Sequence, residues 1–412
     1  MDHVLAATIV TVALALIFDF TNGFHDAANA TSTVIATKSL KPRTAVIMSA
    51  VFNFLPAFIV GTAVANTISK TVNMDNLPSV AAGAIPMGVR VTLAALLGAI
   101  FWNYLTWSLG LPSSSSHALI GGLIGAGLSA GGTDAISWKQ VKTTALAIVA
   151  SPVVAFLVAF IIMWIIRAAQ RIFKLDENSE VFRWGQVGSS AWLSWAHGSN
   201  DAQKTMGVIA ATLYSAGYLQ ASDATQLEPT KWVIISANLA IGLGTLWGGW
   251  RIIETMGLRI TRMSRASGFA ANIGAITSIE SATYSGIPIS TTHAAASSVT
   301  GAGVGSGRRI HWDVMSNMGI AWLVTLPAGG TVAYLCFKLT VLPDKLAMVA
   351  TSVAIIGLMF WAGRLMLKAE TSADLARKIA EGEEIVTTGF GFQVGEVSDF
   401  PGDELKTRPQ DS

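Results

Sequence analysis

Titratable and hydroxyl side chains interrupt apolar sequence at four places, and the four form two pairs. Gly23-Phe24-His25-Asp26-Ala27-Ala28-Asn29 returns 175 residues later as Gly198-Ser199-Asn200-Asp201-Ala202-Gln203-Lys204. Pro112-Ser113-Ser114-Ser115-Ser116-His117 returns 176 residues later as Pro288-Ile289-Ser290-Thr291-Thr292-His293. A carboxylate inside a membrane helix costs roughly 3 kcal/mol or more unless it meets a polar cavity or a partner. Asp26 and Asp201, at matched positions, therefore point to one shared site for a proton or a cation, with Asn29 and Asn200 beside them as neutral oxygen ligands. The glycine three residues before each Asp, with Asp19, Thr21 and Asn22 in one half and His197 to Asn200 in the other, predicts unwound backbone whose freed carbonyls would join that site. A purely structural carboxylate pair is the plainer reading.

The hydroxyl clusters call for the opposite charge. A helix N-terminus presents free N–H groups and a partial positive charge, and so favours anions. Ser113, Ser114, Ser115 and Ser116 open one helix; Ser290, Thr291 and Thr292 open its counterpart. Capping needs one hydroxyl, and these runs exceed it. Two such termini facing each other would supply many donors to a tetrahedral oxyanion without arginine. His117 and His293, just after the clusters, are placed to donate to the anion, to carry a proton, or to brace the tips. His25 and His197 are neighbours in the motifs but not equivalents, since His25 aligns with Asn200.

Two positions break the symmetry. Lys204 stands where the first half has Asn29, so an ammonium replaces an amide; it would neutralise Asp201 or contact the anion, and it disfavours a metal ion there. Gln203 offers an amide beside it. Glu280, eight residues before Pro288, is a proton-carrier candidate in one half only, with Tyr104 at its place in the other. Asn53, Asn103 and Asn238 read as helix-packing groups.

The elements that must position these residues are membrane helices. The 412 residues are 52% hydrophobic and 13% charged, with 39 glycines and 13 tryptophans, which is polytopic membrane composition. Apolar segments fall at 4–36, 44–66, 91–128, 143–166, 186–213, 232–250, 268–304, 314–337 and 346–367. The third and seventh are too long for one crossing and break at Gly110-Leu111-Pro112 and Gly286-Ile287-Pro288, which predicts re-entrant hairpins or paired crossings. Loops holding Arg167 to Arg183 and Arg251 to Arg265 are richer in Lys and Arg than those holding Lys70, Arg90, Lys139 and Lys231. That bias puts the first set in the cytoplasm and the N-terminus outside. An odd number of crossings separates equivalent points, so the halves are inverted.

The expected architecture is an all-α polytopic membrane protein: two inverted-topology repeats (1–170 and 180–340) with broken helices and two re-entrant helical hairpins, an additional helix at 341–368, and an acidic cytoplasmic tail at 369–412. Within the tail, Gly389-Phe390-Gly391-Phe392 is a minor docking candidate. No cleavable leader is evident. The lone Cys336 excludes an internal disulfide and a thiolate metal cluster. The formal charge of +2 points to no nucleic-acid partner. Two symmetric serine clusters argue against a hydrolase, which needs one nucleophile on one strained turn, and no Walker A motif is present.

The paired G-[FS]-[HN]-D-A motifs and paired P-x-S-[ST]-[ST]-H hairpins, in order across residues 5–340, resemble the inorganic phosphate transporter (Pit) family. That resemblance implies secondary transport of inorganic phosphate in a bacterial inner membrane. By position it gives Asp26, Asn29 and Asp201 to the coupling cation, and Ser114, Ser115, Ser116, Ser290, Thr291 and Thr292 to phosphate. Gln203-Lys204 departs from the small residue and Asn of sodium-coupled members and is similar to the bacterial low-affinity branch, which implies proton coupling and transport of phosphate as a divalent-metal complex. The expected cofactor is none beyond the coupling cation; the expected partners are phosphate and lipid, with a homo-oligomer as an option. Sodium coupling, a small-ion channel and a non-transporting receptor are the alternatives.

Overall fold

Long apolar runs without caps, punctuated by Gly and Pro, fold into helices. The computed structural model describes residues 3–220 and 227–368, and a two-residue antiparallel strand pair, Thr388–Gly389 with Phe392–Gln393. The rest of the acidic tail lies outside the described residues, as does any docking by its Gly-Phe segment. Among the described residues the helices are α1 (His3–Ala36), α2 (Pro42–Phe54), α3 (Ala63–Ser69), α4 (Met87–Ser108), α5 (Ser115–Gly131), α6 (Trp138–Phe173), α7 (Glu180–Ser215), α8 (Lys231–Trp247), α9 (Trp250–Glu254), α10 (Arg265–Tyr284), α11 (Thr291–Gly305), α12 (Trp312–Thr340) and α13 (Asp344–Leu367). Five of these, α1, α4, α6, α12 and α13, are long and apolar enough alone to cross a membrane, and seven spans result if each of two bent pairs counts as one. This is a nearly all-helical, multi-pass membrane protein.

The order of elements recurs: a long helix, a bent pair, a hairpin and a second long helix. The bends are 84° between Pro42–Phe58 and α3, and 71° between α8 and Trp250–Arg259. In the hairpins, Gly110 and Gly286 close α4 and α10 at φ +65° and +66°. Leu111 N donates to Thr106 O at 3.0 Å and Ile287 N to Ala282 O at 2.9 Å, which is the Schellman closure that a left-handed glycine permits. The Pro that follows forbids continuation, and the chain reverses into α5 or α11.

One expectation needs correcting. The Asp motifs do not unwind: α1 and α7 run unbroken through Gly23 and Gly198, so the carbonyls there remain in helical hydrogen bonds. The glycines serve close approach instead. A Cβ on Gly23 would lie 2.2 Å from Ile241 O of α8, and one on Gly198 would lie 2.4 Å from Asn53 O of α2. The broken helices are the α2–α3 and α8–α9 pairs, which cross the motifs at these glycines.

Small residues also seat the hairpins, and each sits on the other half. Helix α5 lies on α12, where a Cβ on Gly125 would meet Gly330 O at 2.0 Å; α11 lies on α6, where Gly301 would meet Phe156 O at 2.2 Å. Backbone contact of this kind replaces the hydrophobic driving force that lipid cannot supply. Gly125→Leu and Gly301→Leu should each cost about 3 kcal/mol or more through overpacking, read as a lost monodisperse peak in detergent. Gly188→Leu, at an exposed site with nothing within 4 Å of its Cβ, should leave the peak unchanged.

Candidate functional site

The interior where α1 and α7 meet the hairpin tips is polar. Asp19, Asn22, His25, Asp26 and Asn29 of α1 are buried, as are His197, Asn200, Asp201, Gln203 and Lys204 of α7 and the whole of Ser113–His117 and Ser290–His293. Both helices turn the polar face of their motif toward the tips, and the tips converge. The His117 and His293 rings meet edge to face at 4.5 Å, with Trp322 stacked on His293 at 4.0 Å.

Charge is matched locally. Lys204 Nζ donates to Asp201 Oδ1 at 2.6 Å, to Ile289 O at 2.8 Å and to Ser116 Oγ. One buried ammonium thus ties the α7 carboxylate to a residue at each hairpin tip; it does not snorkel. Asp26 Oδ1 lies 2.7 Å from His25 Nδ1, and His25 Nε2 faces Thr106 and Ser113 at 3.2 and 3.3 Å. Thr291 Oγ1 lies 3.4 Å from both Asp26 Oδ2 and Asp201 Oδ2. Asn22 Nδ2 donates to Asp201 Oδ2 at 3.1 Å. His197 Nε2 stands 3.5 Å from Asp201 and 3.9 Å from Asp26. Asp26, His197 and Asp201 place ligand atoms within 4.8 Å of one another, close enough to share one cation.

The hydroxyl clusters divide their labour. Ser114 and Ser290 are the N-caps, each accepting from the N–H three residues on at 3.2 Å, so capping accounts for one hydroxyl per cluster. Ser113 braces the first hairpin through Thr106 at 2.8 Å. Thr291 and Thr292 accept from Asn29 Nδ2 at 3.3 Å. Ser115 Oγ is buried without a partner. With the unpaired first-turn N–H groups of α5 and α11, it is the donor best suited to an anion. Ser115→Ala should weaken binding of a tetrahedral oxyanion about tenfold, the loss of one hydrogen bond to a charged group, measured by titration of the purified protein.

Two predicted residues, Gln203 and Glu280, fall outside this arrangement. Gln203 Oε1 accepts from Val64 N at 2.8 Å and its Nε2 donates to Ser199 O at 2.6 Å; its amide caps α3 and is spent. Asn200 Nδ2 donates to Thr283 at 2.9 Å and braces α10, while its Oδ1 is buried without a partner. Glu280 bonds the exposed Trp192 at 3.3 Å and is half-buried, away from the Asp cluster. Asn22 and His197 belong to the site although the matched-carboxylate criterion does not select them. Asn22 and His197 are aligned with each other, so a polar residue at one position in both halves was the available signal. The run Gly127-Leu128-Ser129-Ala130-Gly131 has a hydrolase-like spacing but lies inside α5, not on a strand-to-helix turn.

The sequence profile of the phosphate transporter family matches residues 22–176 and again 167–333. The chain belongs to that family. A probable low-affinity inorganic phosphate transporter of Rhizobium meliloti is 43% identical over 350 residues, covering 82% of this chain and 98% of its own length. One of the same description from Bacillus subtilis is 40% identical over 341 residues, with 82% and 98% covered. A solved structure described as a sodium-dependent phosphate transporter superposes with a TM-score of 0.68 at 23% identity, covering 81% of this chain and 98% of that one. Family membership makes this a transporter fold.

Proposed function

We propose that the chain is a phosphate symporter driven by protons, taking phosphate as the free anion or as a neutral divalent-metal complex. The observation that carries this reading is Lys204, whose ammonium lies 2.6 Å from Asp201 where the first half has Asn29. A fixed cation there opposes a sodium ion: like charges ~4 Å apart repel by about 4 kcal/mol at an effective dielectric near 20. Ser115, Ser116, Thr291, Thr292 and the α5 and α11 N-termini bind phosphate, with His117 and His293 bracing the tips. Protonation beside Asp26 and Asp201 lowers the negative charge that would repel the anion, so proton and phosphate bind cooperatively, and the linkage runs both ways.

The recurring order of elements and the twofold match of the family profile support two halves, 1–170 and 180–340, with α13 added. The charge bias of the loops supports inverted halves, an external N-terminus and a cytoplasmic C-terminal side in a bacterial inner membrane. Sodium coupling is the second reading, favoured by the Asp26–His197–Asp201 cluster within 4.8 Å. Phosphate accumulation in proteoliposomes, with proton and sodium gradients imposed separately, tests both. Accumulation under a pH gradient in choline supports the proton reading; dependence on sodium overturns it. No uphill uptake with either gradient leaves a channel or a receptor.

A further inference from the structure

Asp19 has no place in the scheme above. It is wholly buried, and among the described residues it is the one carboxylate with both oxygens buried and neither hydrogen-bonded. It lies on α1 seven residues before Asp26, two turns away and on the same face. Thr205 and Asn22 lie beside it, and the charged groups acting on it are Asp201 and Lys204, both from α7. Thr205 Oγ1 and Asn22 Oδ1 are also buried without partners, while one of the two Asn22 Nδ2 hydrogens goes to Asp201.

An ionised Asp19 and Asn22 Oδ1 offer only acceptors, and neither the Thr205 hydroxyl nor the second Asn22 N–H makes a hydrogen bond to the carboxylate. An ionised carboxylate buried without a hydrogen bond is also among the costliest arrangements a protein can hold. One added proton removes the uncompensated charge: the carboxyl O–H then serves Asn22 Oδ1, and the Thr205 O–H serves the second carboxyl oxygen.

We propose that Asp19 carries the coupling proton, an inference that rests on the proton-symport reading. When the O–H bond of Asp19 breaks and the proton passes to water, a second carboxylate competes with Asp201 for Lys204. Movement of the ammonium toward Asp19 releases Ser116 and Ile289 O, its contacts at the two hairpin tips. Loss of the proton therefore unlatches both tips at once. At the matching position the second half has Ser194, whose hydroxyl is engaged by Ser190 O and Ser49 at 2.9 Å, so there is one such carrier per chain.

The test uses full-length protein in proteoliposomes, with wild type, Asp19→Asn and Asp19→Glu measured for pH-gradient-driven phosphate accumulation and for phosphate exchange at equal pH. Asp19 is not among the tip donors. Asp19→Asn should therefore keep exchange within about threefold of wild type while losing at least tenfold in accumulation, and Asp19→Glu should restore part of it. Accumulation by Asp19→Asn at the wild-type level overturns the Asp19 role while leaving proton symport intact. Loss of exchange together with accumulation in both variants shows Asp19 to be structural and also overturns the role. A wild type that ignores the pH gradient overturns the symport reading and the inference with it.

Discussion

Lys204→Met should reduce phosphate uptake at least ~100-fold. Its ammonium is fully buried and holds Asp201, Ser116 and Ile289 O together. Removing one member of a buried ion pair costs about 3–5 kcal/mol, because the other charge is left uncompensated. At 1.4 kcal/mol per tenfold, that is a factor of a hundred or more in the population of the arrangement seen here. Asp201 would retain Asn22 and Thr291, neither of them a charge. The double variant Lys204→Met/Asp201→Asn removes both charges. It should regain thermal stability in detergent without regaining transport, which separates the structural cost from the functional one. Uptake by Lys204→Met within threefold of wild type would show that the latch is dispensable.

Asp26→Asn should be about as severe for transport and far milder for folding. The amide has the shape of the carboxylate, so α1 keeps its packing against α8. The substitution removes an anion that His25 meets at 2.7 Å and that Thr291 and His197 face. Hydrogen bonds to a charged group are worth roughly 1.5–3 kcal/mol each, and a rotated amide preserves one acceptor. The net loss is therefore about 3 kcal/mol, or ~100-fold in uptake, with the detergent melting curve within a few degrees of wild type. A variant that transports normally would remove Asp26 from the coupling site.

The features written twice in the chain were the legible ones. Two motifs repeating at nearly equal spacing located α1, α7 and both hairpins, and Gly-x-Pro placed the reversals at Gly110 and Gly286. What one residue type can mean in two settings was not legible. Gly23 among polar residues reads as a helix break, yet it is where the α8 backbone rests, and only the fold brings Ile241 to it. The bend after α2 left no pattern in hydropathy, because the apolar run 44–66 continues through it. Gln203 sits in the motif, but its amide answers to Val64, 139 residues away. Asp19 lacks a twin, so a reading built on symmetry passes over it; its burial without partners is visible only in three dimensions.

The seating of each hairpin on the far half also governs how the chain is made. Helix α5 ends at Gly131 and its bed, α12, begins at Trp312. At ribosomal speeds of about 5–20 residues per second, the first hairpin waits on the order of ten to forty seconds for its partner to be synthesised. During that interval the glycine-lined face of α5 that will meet α12 is uncovered, although α4 already packs on its other side. The second hairpin has no such delay, because α6 is complete before α11 emerges. Biogenesis is therefore asymmetric in a molecule whose order of elements recurs, and the early hairpin is the segment most dependent on the insertion machinery or a chaperone to hold it until closure.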